Sequence, residues 1–425
     1  MGFKCFSKFK FFREVLMSVL FKPFKIRNLK IKNRFIHSAT YEAMATKDGE
    51  VTEELIKRYR NLARGEVGLI IPGYMYVHSL GKAVSRMTGI NDDSFLPGLK
   101  QLADTVHEEG SSILFQLAHA GQQTKKQIID DLPMAPSADH RDPVLFFKPR
   151  EMSQSDIEEV IFSFGEAATR AALAGADGVQ IHAAHGYLVN EFLSPFYNHR
   201  EDQWGGSDEN RFRFFREIYR EVRRNLPAGL IVSVKLNACD FTPHEGIDYE
   251  LAARYTAWMA DLGIDLIEIS CGGTAFSYMN MVRGDVPVKE LTRSVPAMMR
   301  PAAWLMLKSM AGKFGFDGPY NLEAVKQVRQ VTADTPLSVV GGIRTVADME
   351  GIITAGYADF VSMSRPFVRE PHLVKKIREG TMSAVNCTSC NRCFGEVVNN
   401  SMLRCYNHEQ KQHKEVSLEE RLMTA

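Results

Sequence analysis

The sequence predicts an α/β fold, a closed (β/α)₈ barrel of the TIM type with a short Cys-rich C-terminal tail. Three observations predict it. Short apolar runs alternate with stretches of helical periodicity, which implies a parallel sheet. Eight such units over roughly 350 residues suit a closed barrel better than an open sheet. No G-x-G-x-x-G follows the first apolar run, which weighs against a dinucleotide-binding open sheet.

The elements follow in order. Residues 35–39 form the first strand, and 52–63 a helix with Thr52 as N-cap. A second strand covers 67–72, and a helix ends at Gly110. The third strand, 113–117, carries Gln116. A polar, Pro-containing loop spans 119–152. Ser155-Asp156-Ile157-Glu158 reads as a capping box. The helix it opens places Ile157, Val160, Ile161, Phe164 and Ala168 at helical spacing, and Gly175 stops it. The fourth strand starts at Gly178 and carries His182. The unit then repeats, with strands at 230–235, 266–270, 337–340 and 359–363 and helices at 208–226, 249–262, 321–331, 346–355 and 371–379. An irregular insertion occupies 271–319.

Bulk properties narrow the function. The 425 residues are 45% hydrophobic and 24% charged, as in a soluble protein with a large core. A net charge of +1 gives no global case for nucleic acid. No apolar run reaches transmembrane length. Lys4, Lys8, Lys10 and Arg13 interrupt the aromatic N-terminus, so it is not a secretory signal. It reads as a disordered extension, 1–19, or as a start placed too early, before Met17. The barrel then covers 20–380 and the Cys-rich segment 381–425. Three of the seven cysteines are scattered and four are clustered, so a disulfide framework is not indicated and a reducing, cytoplasmic setting is expected.

Three places could carry chemistry. Gly341-Gly342 and Ser364-Arg365 follow the last two strands, where barrels hold phosphate on backbone N–H groups, and Arg365 adds a forked charge. Glycines can also simply make tight turns. His182-x-x-His185-Gly186-Tyr187 puts two imidazoles and a phenol where a strand runs out. The pair reads as an oxyanion clamp, as structural histidines or, least well, as half a metal site, since no further ligands are obvious. Lys235 ends the fifth strand. It reads as an ion-paired lysine, a Schiff-base amine or a charge beside an electron-rich cofactor.

These residues resemble a known family. His182-Ala-Ala-His185-Gly186-Tyr187-Leu188, Asn190-Glu-Phe-Leu-Ser-Pro195, Asn198-x-Arg200 and Gly205-Gly206-Ser207-x-Glu209-Asn210-Arg211 are similar to the Old Yellow Enzyme family of FMN-dependent NAD(P)H oxidoreductases. Leu20 to Arg34 and Gln116-Leu-Ala-His-Ala-Gly121 extend the likeness, which covers 20–371. The resemblance implies roles. Gln116 would bond the pyrimidine edge of the flavin. Lys235 would stand near N1 and O2, where relatives often have Arg, and stabilise reduced flavin by charge. Ser38, Ala39 and Thr40 would pass beneath the ring, and Gly341, Gly342, Ser364 and Arg365 would hold the phosphate. His182 and His185 would bind the carbonyl of an activated alkene, and Tyr187 would protonate its α-carbon. Tyr41 departs from the family, since relatives often carry Thr or Cys there. Its hydroxyl would still reach the flavin O4, or its bulk would close part of the site.

Cys387-x-x-Cys390-x-x-Cys393-x₁₁-Cys405 suits tetrahedral thiolate ligation of a [4Fe–4S] cluster or zinc. It resembles the cluster segment of the dienoyl-CoA reductase and trimethylamine dehydrogenase branch. Few residues follow Cys405, so a cluster would need an external electron-transfer partner or be structural. Four free thiols are the remaining reading. The function expected is reduction of activated C=C bonds in a small-molecule substrate with NAD(P)H, and a homo-oligomer is compatible with it. A flavin-dependent amine or N-methyl dehydrogenase is the runner-up. A Lys235 aldolase and a silent binding barrel are the readings from other classes.

Overall fold

Strand eight pairs with strand one, and that pairing closes the sheet. The computed structural model describes residues 18–138, 147–332 and 334–407. Its barrel strands are β1 (Phe35–His37), β2 (Leu69–Ile70), β3 (Phe115–Ala118), β4 (Gly178–Ala183), β5 (Ile231–Asn237), β6 (Leu266–Ser270), β7 (Leu337–Val340) and β8 (Phe360–Met363). From β3 to β8 each pairs in parallel with the next, and β1 pairs with both β8 and β2. The ring is completed by a short run before β3, Ser112–Ile113, which pairs with β2. Leu114 interrupts the third strand, yet its N–H still donates to Ile70 O at 3.0 Å. The closed parallel barrel expected from the alternation is therefore present.

An antiparallel hairpin, Phe24–Ile26 with Leu29–Ile31, closes the floor. Ile26 and Ile31 pack there on Ile36, Leu69, Leu114, Ile231, Leu266 and Phe360, one apolar layer across the strands. Dry filling at this end leaves the other end of the strands for polar side chains. The helices bury their inner faces in one continuous core around the sheet.

Three expectations need correction. The helix before β4 is Gln154–Leu173, and its cap is Ser153 rather than Ser155. Asp156 at N3 closes the box on Ser153 while accepting a forked bond from Arg150, at 2.7 and 2.8 Å, and that fixes the start two residues earlier. β5 continues past Lys235 to Asn237, whose side chain ties to Asp240 and to Gly272 O. The segment 271–319 is not irregular. It holds helices Tyr278–Met281, Val288–Ser294 and Arg300–Met310.

A short helix, Arg392–Val398, belongs to the Cys-rich segment and packs on this insertion. The ring of Tyr278 stacks on Phe394 at 5.8 Å, and Arg293 pairs with Glu396 at 2.6 Å. Most of the expected N-terminal extension, residues 1–17, and the end of the chain, 408–425, lie outside the described residues. Among the described residues no helix is long and apolar enough to cross a membrane.

Candidate active site

Side chains two apart on a strand share a face, so Gln180 and His182 on β4 both turn into the barrel. Register sets their neighbours. Gln116, Gln180 and Ser233 stand level on β3, β4 and β5. His182, Lys235, Glu268 and Ser338 stand level on β4 to β7. Gln116 Nε2 donates to Gln180 Oε1 at 2.7 Å, and Gln180 Nε2 donates to Glu268 Oε2 at 3.1 Å. Lys235 Nζ lies 3.4 Å from the same carboxylate oxygen and donates across the barrel to Ser38 Oγ at 2.7 Å. Lys235 and Glu268 are almost fully buried. Such a pair survives only where hydrogen bonds offset its desolvation, and this network supplies them.

The mouth lies where β4 ends. His185 and Gly186 both take left-handed backbone, with φ of 67° and 79°. That is uncommon for a residue with a Cβ. Three bonds hold the turn. His185 N–H donates to Asn237 Oδ1 at 3.3 Å, Gly186 N–H to Asn190 Oδ1 at 2.7 Å, and Thr274 N–H to His185 O at 3.0 Å. The turn brings the His185 ring edge-on to His182 at 5.1 Å, with the Tyr187 ring 5.0 Å from His182. His185 Nε2 is 2.7 Å from Ser270 Oγ, whereas His182 Nδ1 has no hydrogen-bond partner. Burial above all holds both imidazoles well below their usual pKa, joined by His185 and then Lys235 at His182 and by Lys235 at His185, so both are neutral. Burial pushes the Tyr187 phenol up to about 12, so it keeps its proton.

Sequence reasoning missed Tyr74. It follows β2, its ring lies 5.2 Å from that of Tyr187, and its hydroxyl accepts from Tyr187 at 3.1 Å. Tyr41 lies 5.9 Å from Tyr74, and its buried Oη has no partner. Three phenols therefore share one side of the mouth. Gln180, Glu268 and Ser270 were also missed. Their signal was present, since each is a polar residue spaced by two in an otherwise apolar strand. Tyr74 carried no such signal.

At the far side Thr40 Oγ1 lies 2.9 Å from Ser38 O and 2.7 Å from Ser364 Oγ, which joins the ends of β1 and β8. Ala39 is half-buried against the floor layer. Gly341 and Gly342 have φ of 123° and 77°. A Cβ on Gly342 would stand 2.2 Å from Gly318 O, and one on Gly341 would stand 2.5 Å from the Tyr320 ring. The end of the insertion thus presses on this turn, which needs glycine on packing grounds alone. Arg365 Nη1 donates to Arg283 O at 2.8 Å and Val282 O at 3.2 Å, and bonds Asn391 Oδ1. Arg344 bonds Ser389 through Nη2, while its Nη1 has no partner. Both arginines thus tie the ends of β7 and β8 to the insertion and the Cys-rich segment.

Cys387, Cys390, Cys393 and Cys405 line one pocket of about 320 Å³, partly open to solvent, together with Arg365, Arg369 and Tyr406. None of the four is joined in a disulfide among the described residues. Asn391, between them, donates to Val282 O at 2.6 Å and Asp285 O at 2.9 Å. Among the described residues no three of His, Cys, Asp or Glu stand at the spacing of a metal's ligands. The structure gathers the four cysteines on one pocket without closing them on a point.

The partnerless atoms fit the flavin and substrate that the sequence resemblance implies. Tyr41 Oη, His182 Nδ1 and Arg344 Nη1 are buried without partners around the mouth and the turn after β7. Buried polar groups are otherwise nearly always bonded. Residues 19–383 match the NADH:flavin oxidoreductase / NADH oxidase family. The chain belongs to this family, and with it to the FMN-dependent oxidoreductases of the Old Yellow Enzyme type. It is 33% identical to the NADPH dehydrogenase of Bacillus subtilis (strain 168) over 357 residues, which is 84% of this chain and 93% of that one. It is also 33% identical to the NADH oxidase of Thermoanaerobacter brockii over 395 residues, 91% of this chain but 55% of the relative. Among solved structures it resembles 2-naphthoyl-CoA reductase in complex with 2-naphthoyl-CoA, with a TM-score of 0.78 and 27% identity over 91% of this chain and 56% of that chain. The chain spans about half the length of these last two proteins. Family membership leaves the aldolase and silent-barrel readings without support.

Proposed function

We propose that the chain reduces activated carbon–carbon double bonds with electrons from NAD(P)H. One observation carries the reading: His182, His185 and Tyr187 meet at the mouth with both imidazoles neutral and the phenol protonated. Neutral imidazoles can each donate one hydrogen bond to a carbonyl oxygen. Those bonds strengthen as the oxygen gains negative charge, and burial amplifies the effect. Tyr187 is the proton source for the α-carbon. Tyr74, in contact with its hydroxyl, fixes where that proton sits.

Bound FMN would supply the hydride at its ring nitrogen N5. Gln116, Lys235, Ser38, Ala39, Thr40 and Tyr41 would hold the ring, and Gly341, Gly342, Ser364 and Arg365 the phosphate, with Arg344 beside them. Gln180 and Glu268 keep the Gln116 amide and the Lys235 ammonium in fixed positions. The pairing with Glu268 fits Lys235 for an electrostatic role rather than a nucleophilic one.

The four cysteines would hold an iron–sulfur cluster, with zinc as the other metal of matching chemistry. A cluster supplies one-electron transfer, and the pocket's open side is where a partner would meet it. Substituting Cys390 by Ser is expected to remove iron and its brown absorbance while flavin stays bound. Unchanged iron content would take Cys390 out of the ligand set.

The test of the main reading separates two half-reactions. Tyr187→Phe is expected to leave reduction by NADPH within about twofold of wild type. It should slow reoxidation by 2-cyclohexenone about 10²-fold or more, the scale of general-acid catalysis. An unchanged enone rate would remove Tyr187 from the mechanism.

A further inference from the structure

The helix Arg300–Met310 sits in the insertion, and its outer surface is apolar. Leu307 is its one buried residue, packed with Met279, Val286 and Leu291. Trp304, Leu305 and Met306 are 42%, 64% and 58% exposed, and Met298 just before the helix is 92% exposed. Single exposed apolar residues are ordinary, but a contiguous set on one short helix is not. A helix apolar on nearly every side needs cover, either from protein or from lipid.

Charge indicates which. Between Leu291 and Phe316 the chain has Arg293, Arg300, Lys308 and Lys313 and no Asp or Glu. Arg293 is paired with Glu396. Lys308 lies over the Trp304 ring at 4.5 Å, which places a cation directly beside the apolar stripe. A second copy would be a poor cover. A two-fold contact sets a patch against itself, and here that would oppose cations of one sign with no carboxylate in the segment to answer them. An anionic lipid surface answers both features. Apolar side chains with Trp enter the acyl boundary, and flanking Lys and Arg meet the headgroups.

We propose that this face docks the protein on anionic membrane surfaces. Met298, Trp304, Leu305 and Met306 insert, while Arg300, Lys308 and Lys313 contact headgroup phosphates. The helix, roughly 16 Å long, lies in the plane of the interface and does not span it. The insertion follows β6 at the polar end of the barrel, so docking would turn the mouth side towards the bilayer. The inference stands on this surface alone and is independent of the reaction.

The test is co-sedimentation of the full chain with vesicles of phosphatidylcholine containing one quarter phosphatidylglycerol, against phosphatidylcholine alone. Binding to the anionic vesicles only, weakened by 0.5 M salt, is expected. The triple variant Arg300→Glu, Lys308→Glu, Lys313→Glu should lower affinity on the order of 100-fold. The variant Leu305→Ser, Met306→Ser, which keeps Trp304 as the reporter, should abolish insertion, read as loss of the blue shift in tryptophan emission on adding vesicles. Both leave the barrel untouched, so retained flavin content checks folding. No vesicle binding by the parent chain would overturn the proposal, as would binding indifferent to both variants. A chain that ignores vesicles but self-associates, and becomes monomeric in the serine variant, would show the face to be a contact between copies and overturn it equally.

Discussion

The mouth at the end of β4 and the pocket of the four cysteines are built in opposite ways. At the mouth every functional group hangs from a barrel strand or the turn after it, and neighbouring strands fix each level. The partners of Lys235 come from β6 and from the end of β1, and those of the His185 N–H and ring from β5 and β6. At the cysteine pocket the thiols sit on loop and short helix. Apart from Cys405, whose Sγ accepts from Arg369 Nη1 at 3.5 Å, they are positioned indirectly, by Asn391, Arg344 and Arg365 gripping backbone or side chains nearby. Strand registry preorganises the first site before anything binds. The second is gathered on one pocket but left open, with no strand registry to fix its groups.

Several experiments would sharpen or break that contrast, beginning with the two substitutions already described. Cys390→Ser should remove the whole metal signal, and Tyr187→Phe should cost about two orders of magnitude in enone reduction. Neither should shift the melting temperature much, because neither touches the strand network. Glu268→Gln should do the reverse. It leaves the Lys235 ammonium buried without its carboxylate, and is expected to destabilise the flavin-free protein by about 3 kcal/mol in denaturant titration. A loss under 1 kcal/mol would mean that Ser38 alone holds the lysine.

Acid should act on the mouth side through four buried imidazoles. His37 and His119 are pushed down to about 3 by burial, and His182 and His185 lie well below 6.5. In the unfolded chain these groups take up protons near 6.5, while in the folded chain they do not. The unfolded state therefore binds more protons below that pH, and stability falls as pH drops from about 6.5 towards 3. The expected slope approaches about 1.4 kcal/mol per histidine per pH unit, read from urea unfolding at pH 7.5, 6 and 5. A flat profile would mean that these histidines are hydrated. The smallest effect belongs to Tyr74→Phe, which removes one hydrogen bond to Tyr187. It should slow enone reduction by about fivefold to tenfold, leave NADPH oxidation unchanged and move the alkaline limb of the rate profile to higher pH, because the Tyr74 bond lowers the Tyr187 phenol.

Much of this was legible in the sequence. All eight strands lie near where the alternation of apolar runs and helical stretches puts them, because a closed parallel barrel repeats one local pattern. The histidine pair and Tyr187 were legible because they sit within six positions. What stayed hidden was tertiary. Tyr74 is 113 positions from Tyr187, and nothing local marks it. Arg365 meets the insertion across 82 positions, so its ties to Arg283 and Asn391 could not be foreseen from the turn it follows. The insertion helices escaped notice because none of the three has a side-chain cap to announce its start. Ser153 was passed over for Ser155 because Arg150, outside the motif, selects the capping carboxylate.

The central claim is that the mouth passes electrons from NAD(P)H to an activated alkene. The most direct measurement is the visible spectrum of the oxygen-free protein during two additions. NADPH or NADH should bleach the flavin bands, and 2-cyclohexenone added afterwards should restore them with one equivalent of saturated ketone formed. Bands that bleach but do not return with any enone, while product is absent, would contradict the account.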